Sequence, residues 1–273
     1  MKRSLAGRVI AITGASSGIG AAVAIAAAGR GARIALLARR EARLSEVASR
    51  VEAAGGEATI VVGDVRDRDV SIELVRAATE RWGRLDVMLC NAGFGVAATV
   101  AETPENEVRD LFDVNVLGSV WSVQAAWPVF AERRAGHLIL VSSAAAFHGL
   151  PVNGLYSATK AAQRSFAEAL RIETEPIGVD VSVVYPIMTA TGFTDAVRDH
   201  TGGRKKAAGG QGPRQAVEPV AESIVRCMER PRFEVYPYRA ARIMPWLEAV
   251  SPRFAARMLG FRAYHRRLTG DGI

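Results

Sequence analysis

Six apolar runs of about six residues, rich in β-branched side chains, recur through the first 185 positions: Arg8–Thr13, Arg33–Ala38, Ala58–Val62, Asp86–Cys90, His137–Ser142 and Val179–Tyr185. None alternates strictly between apolar and polar, the mark of strands buried on both faces of a parallel sheet. Between them lie amphipathic or alanine-rich stretches of helical length at Gly18–Arg30, Glu41–Ala54, Asp67–Trp82, Glu105–Glu132 and Leu155–Glu175. Strand and helix in alternation predict an α/β fold, a Rossmann-type doubly wound parallel sheet with right-handed crossovers. A further helix near Val217–Arg230 and a last strand near Phe233–Tyr236 precede a tail punctuated by Pro245 and Pro252. The expected division is a core at 1–190, then a loop, helix and last strand of the same domain at 191–237, then a helical C-terminal extension at 238–273. The Gly- and Lys/Arg-rich stretch Thr201–Gly212 reads as a mobile loop.

Charge adds a second asymmetry. The net +7 comes entirely from residues 191–273, because residues 1–190 carry 20 basic and 20 acidic side chains. A uniformly basic nucleic-acid binder is thereby disfavoured. Cys90 and Cys227 stand far apart with no Cys or His at ligand spacing, which argues against a zinc site or disulfide framework and favours a reducing, cytoplasmic compartment. No window is long and apolar enough for a membrane span. Of the 35 basic residues only Lys2, Lys160, Lys205 and Lys206 are lysines, so Lys160 within the core raises the question of why arginine does not serve there.

Chemistry begins at Thr13-Gly14-Ala15-Ser16-Ser17-Gly18-Ile19-Gly20, directly after the first strand and opening the first helix. Glycines at such a junction allow a tight turn and close backbone approach to a pyrophosphate, which the helix N-terminus stabilises with its free N–H groups and dipole. Further along, Tyr156 and Lys160 are four apart and share one helix face. An ammonium near a phenol favours the phenolate, and a lowered phenol pKa suits general acid–base work. A compact ammonium also suits a ribose hydroxyl better than a planar guanidinium does.

The G-x-x-x-G-x-G spacing, Asn91-Ala92-Gly93 after the fourth strand, Asn115 in the long helix, Ser143 after the fifth strand and Tyr156-Ser157-Ala158-Thr159-Lys160 together resemble the short-chain dehydrogenase/reductase family over about residues 5–190. The resemblance implies a nicotinamide cofactor and a catalytic set of Asn115, Ser143, Tyr156 and Lys160. In that set Ser143 holds the substrate oxygen, Tyr156 transfers the proton, and Asn115 links Lys160 to a water chain. It implies cofactor contacts from Gly14, Ser16, Ser17, Gly18, Ile19, Gly20, Asp64, Val65, Asn91, Ala92, Gly93, Tyr156, Lys160, Pro186 and Thr191. One departure stands out: Ile187 follows Pro186 where the family commonly has glycine, adding a β-branched side chain near the nicotinamide.

Cofactor choice turns on the end of the second strand, where an acidic residue would bind a ribose 2′-hydroxyl. Ala38-Arg39-Arg40 stands there instead, so Arg39 is expected to pair with a 2′-phosphate and the cofactor to be NADP(H). The expected activity is interconversion of a ketone or aldehyde and an alcohol, on an apolar small-molecule substrate, in a homodimer or homotetramer. A catalytically silent NADP(H)-binding sensor or scaffold is the alternative. His148 reads as a pocket residue or a satisfied loop histidine. Phe147, Leu150, Val152, Ile187 and Met188 read as pocket wall or core. The tail, with seven arginines among apolar residues in 238–273, is expected to dock on the protein's own body or a second subunit, with membrane association at most peripheral.

Overall fold

Strands covered on both faces need no polar alternation, and the architecture supplies that cover. The computed structural model describes residues 2–189, 197–201 and 215–251. Its elements run β1 Val9–Thr13, α1 Gly18–Ala28, β2 Arg33–Ala38, α2 Glu41–Ala53, β3 Glu57–Val62, α3 Arg68–Trp82 and β4 Val87–Cys90. They continue through β5 Val96–Ala97, α4 Glu105–Phe112, α5 Gly118–Arg133, β6 Gly136–Val141, α6 Gly154–Thr174, β7 Val179–Val184 and β8 Arg198–Asp199. α7 Val217–Glu229, β9 Glu234–Val235 and α8 Met244–Val250 complete the series. Seven strands form one parallel sheet in the order β3-β2-β1-β4-β6-β7-β9. This is a Rossmann-type doubly wound fold, and the order reverses direction between β1 and β4, the crevice where such sheets bind ligands at their carboxyl edge.

Neighbouring side chains of each strand enter opposite cores. Ile10, Ile12, Ile34, Leu36, Val87 and Leu89 pack with α1, α2 and α7 on one face. Val9, Ala11, Ala35, Leu37, Met88 and Cys90 pack with α3, α5 and α6 on the other. The alanines of α1 let it pack closely on the sheet, flanked by α7 and α2.

Two features depart from the sequence reading. The expected helix Glu105–Glu132 is divided by a π turn, Asp113–Leu117, in which the Gly118 N–H donates to the carbonyl of Asp113, five residues back. A second small sheet also forms, in which β8 pairs with β5. Arg198 holds that pairing: its Nη1 donates to Glu107 Oε2 at 2.7 Å and Asp110 Oδ2 at 2.9 Å, and its guanidinium lies 4.6 Å from the Phe94 ring centroid.

Beneath the amino edge of the sheet, the buried Asp86 carboxylate accepts from the Val9 N–H at 2.9 Å, from Arg84 at 2.8 and 2.6 Å and from Arg8 at 3.2 Å. Burial alone would raise its pKa, but the hydrogen bonds from Arg84 and Val9 and the charges of Arg84 and Arg8 hold it below the usual carboxylate range. A depressed folded pKa gives stability that is present above the unfolded value and lost as pH falls through the folded one. Asp86→Asn is therefore expected to lower stability by about 1–3 kcal/mol at neutral pH. Urea denaturation at several pH values checks this: the gap from the wild type should close under strongly acidic conditions, and a pH-independent gap would contradict the assignment.

The near part of the tail meets the body. His148 Nδ1 and Glu248 Oε2 are 2.7 Å apart, Met244 packs against the core, and the Arg242 guanidinium lies 6.0 Å from the Tyr236 ring centroid. Ile243, Trp246 and Val250 remain exposed. The expected loop at Thr201–Gly212 lies, apart from Thr201, outside the described residues, as does the tail beyond Ser251. No helix among the described residues is long and apolar enough to cross a membrane.

Candidate active site

The turn between β1 and α1 is built for close approach. Gly14 and Gly18 take left-handed φ of 65° and 57°, a conformation that glycine adopts without strain. A Cβ on Gly14 would lie 2.8 Å from Ala92 Cα, and one on Gly20 would lie 2.6 Å from both Asn91 Nδ2 and the Gly14 carbonyl. Asn91 and Thr13 fasten this turn to the end of β4: Asn91 Nδ2 donates to the carbonyls of Thr13 and Gly14, while Thr13 Oγ1 accepts from the N–H groups of Asn91 and Ala92.

Ser17 stands at the N-cap of α1, yet its side chain makes no capping hydrogen bond. Its hydroxyl accepts from Arg40 Nη2 at 3.2 Å, and Ser16 Oγ accepts from the same atom at 3.1 Å. Side-chain capping therefore does not consume the donors of the first turn, and a guanidinium stands beside them, an arrangement that suits phosphate. Arg39, its side chain 68% exposed, points to the other side, with Nη1 3.8 Å from Asp64 Oδ2. Val65 is buried beneath Gly118. The small, close-packed turn, its uncapped helix and the neighbouring arginines fit a dinucleotide.

Next to this cradle lies a polar cluster. Ser143 follows β6, its Oγ accepts from the Ala145 N–H at 3.1 Å, and its hydroxyl hydrogen-bonds Tyr156. The neighbouring Ser142 points inward, donating to the Lys160 carbonyl at 2.8 Å, so the two serines face apart. Lys160 Nζ lies 5.7 Å from the Tyr156 ring centroid and donates to the Val141 carbonyl at 3.0 Å and Gln163 Oε1 at 2.9 Å. Gly93 keeps this quarter narrow, because a Cβ there would be 3.1 Å from Asn115 Oδ1 and 3.4 Å from Lys160 Nζ. Asn115 is fully buried on the π turn; Oδ1 accepts from the Phe94 N–H, and Nδ2 donates to the Phe94 carbonyl and Thr159 Oγ1.

Electrostatics differ from the expectation of a lysine-lowered phenol. Burial pushes the Tyr156 phenol up to about 12, against the lowering effect of Ser143's hydrogen bond. Burial also pushes the Lys160 ammonium down to about 7. The lysine nitrogen lies over the ring rather than on the phenol oxygen, so desolvation outweighs charge pairing when nothing else is bound.

Other expectations divide. The Pro186 carbonyl accepts from the Ala144 N–H at 2.9 Å beside Ser143. Ile187 needs no glycine, because the non-glycine residues with left-handed backbone among those described are Arg134 and Val152. Thr191 lies outside the described residues. Phe147 and Val152 are buried, and Phe147 packs on Tyr185 and Tyr236, which makes it core. Met188 is exposed, whereas Leu150 and Ile187 are partly buried. His148 meets Glu248 in the tail. Thr13 and Thr159 lie within the sequence motifs and Arg40 stands beside Arg39, whereas no residue pattern singles out Gln163, although it sits three positions after Lys160 on the same helix face.

Residues 8–202 match the family model described as short chain dehydrogenase, and the chain belongs to the short-chain dehydrogenase/reductase family of oxidoreductases. An uncharacterized oxidoreductase of Listeria innocua is 35% identical over 194 residues, covering 70% of this chain and 78% of that protein. A short-chain dehydrogenase/reductase from Burkholderia phymatum in complex with NAD superposes with a TM-score of 0.83 at 27% identity, covering 90% of this chain and 94% of that one. An alcohol dehydrogenase from Thermococcus sibiricus complexed with 5-hydroxy-NADP gives a TM-score of 0.73 at 28% identity, covering 84% and 95% respectively.

Proposed function

We propose that this chain is an NADP(H)-dependent oxidoreductase that interconverts a ketone or aldehyde and an alcohol. The observation that carries the reading is the Ser143–Tyr156 hydrogen bond, set beside Lys160 and next to a dinucleotide cradle. Gly14, Ser16, Ser17, Gly18, Ile19 and Gly20 would hold the pyrophosphate end. Arg39, with Arg40 behind it, would face a 2′-phosphate, and Asp64, Val65, Asn91, Ala92 and Gly93 would line the adenosine side. Lys160 would hold the nicotinamide ribose, with Pro186 and Thr191 near the ring. When bound, the cofactor supplies or accepts the hydride at the carbonyl carbon.

The chain's own residues manage the oxygen. Ser143 Oγ orients it by a hydrogen bond. Tyr156 donates its proton to that oxygen during reduction and takes it back during oxidation. A phenol held near 12 is fully protonated at neutral pH, so the ligand-free site is set as the acid that reduction requires. Phe94 and Leu155, which pack with Tyr156 around Val96, Ala98 and Leu111, make the neighbourhood apolar and favour an apolar carbonyl substrate.

Loss of reduced-nicotinamide absorbance, followed with NADPH and with NADH against a panel of apolar ketones, aldehydes and acyl thioesters, tests the reading. NADPH-dependent turnover of at least one carbonyl is expected. Tight NADPH binding with no turnover of any carbonyl, or of any alcohol in reverse, would instead favour the silent sensor or scaffold.

A further inference from the structure

Gln163 is fully buried, and both ends of its side-chain amide are engaged. Oε1 accepts from Lys160 Nζ at 2.9 Å; Nε2 donates to the Asn115 carbonyl at 2.8 Å and to Ser119 Oγ at 2.7 Å. Ser119 Oγ itself donates to the Asn115 carbonyl at 2.9 Å, so three groups close a ring behind the lysine. The amide has only one workable orientation, because an ammonium only donates and a carbonyl only accepts. The π turn places the Asn115 carbonyl within this ring, opposite α6.

We propose that Gln163 is a positioning residue for Lys160, a non-titrating bridge that ties the ammonium to the Asn115 main-chain carbonyl and closes the proton path between them. The inference rests on the reading of Tyr156 and Lys160 as the acid–base pair. A neutral amide gives and receives hydrogen bonds but does not hand on a proton near neutral pH. The link expected from Asn115 to Lys160 through water runs instead through this side chain, and the Asn115 carbonyl already has two side-chain donors. Re-protonation of Tyr156 is therefore assigned to the cleft side, past Ser143. The bridge also fixes the lysine head: Val141 and Gln163 take two of its three N–H donors, leaving one for the cofactor's ribose. A buried ammonium without the Gln163 acceptor would lose part of what offsets its desolvation.

The pH dependence supplies the test, because the surroundings of Lys160 are electrically simple. At β4's end, the π turn, β6 and α6, the Tyr156 ring lies 5.7 Å from Lys160 Nζ, the buried Cys90 thiol reaches the Ser119 carbonyl with its pKa pushed up to about 12 by burial, and burial is the cause that lowers the lysine. Gln163→Leu removes both hydrogen-bonding ends at similar volume. It should lower kcat about tenfold, leave substrate KM within about threefold, and move the lysine-linked limb of the pH–rate profile to lower pH, since the ammonium loses an acceptor. Gln163→Glu puts a carboxylate on the ammonium and should move the same limb about one unit or more to higher pH. A purely structural role would reduce activity in both variants without opposite shifts.

Both variants are measured as full chains, with circular dichroism and NADPH binding as controls and Tyr156→Phe in parallel. If Tyr156→Phe is inactive while both Gln163 variants keep the wild-type rate and profile, the positioning role is overturned and the functional reading survives. If Tyr156→Phe keeps turnover, the functional reading fails and the positioning role falls with it. Should Gln163→Leu fail to fold, the direction of the Gln163→Glu shift alone decides: upward supports the bridge, unchanged or downward overturns it.

Discussion

Replacing Tyr156 by Phe is expected to lower kcat by about a thousandfold while leaving NADPH affinity within about threefold of the wild type. The substitution removes one oxygen from a ring whose packing against Phe94 and Leu155 around Val96 is otherwise kept. What goes is the proposed proton donor and its hydrogen bond with Ser143. Lys160 should keep its place, because its partners are the Val141 carbonyl and Gln163 Oε1 rather than the phenol oxygen. Cofactor binding and catalysis should therefore separate in this variant. Steady-state rates on a substrate identified from the carbonyl panel, with equilibrium titration of NADPH, check both halves. A rate within tenfold of the wild type would remove Tyr156 from the role of acid, and an equal loss of NADPH affinity would make the change one of cradle geometry rather than proton transfer.

Much of the candidate site was legible because its residues are brought together by local geometry. Tyr156 and Lys160 share a face by helical spacing alone, and the glycines of the first turn announce themselves by their place between a strand and a helix. The long strands were readable within a residue because burial on both faces suppresses alternation over the whole run. β5 and β8 were not readable: two residues carry no period, and their pairing depends on Arg198 meeting Glu107 and Asp110 from a distant part of the chain. The π turn was hidden inside a pattern that reads as one continuous helix, since a single extra residue per turn changes periodicity too little to stand out. Gln163 escaped for another reason. A polar residue on a helix is ordinarily read as solvent-facing, and only the approach of Asn115 and Ser119 from the other side shows that it is buried. The lysine–phenol pair shows the same limit in energetic form: spacing gives proximity, but depth of burial decides which way each group's pKa moves.

Arg39→Asp is expected to lower the ratio of kcat/KM for NADPH over NADH by about a hundredfold, the loss of a charge-assisted phosphate contact combined with a new repulsion. Position 39 directly follows the last residue of β2, where a carboxylate would meet a ribose 2′-hydroxyl and where the arginine instead offers a mostly exposed guanidinium. Its present partner, Asp64 at 3.8 Å, is a long and solvent-screened contact that a phosphate dianion can readily outcompete. Arg40 is the nearest rival, since its guanidinium already bridges Ser16 and Ser17 at the mouth of the cradle. Arg40→Ala serves as the comparison because it removes that charge without adding a repellent one, and its expected effect on the ratio is about tenfold. Initial rates with both cofactors at a fixed substrate concentration separate the two positions. A larger effect at Arg40 would transfer the phosphate to the side of Ser16 and Ser17, and an unchanged ratio in both variants would overturn the assignment of NADP(H) to this cradle.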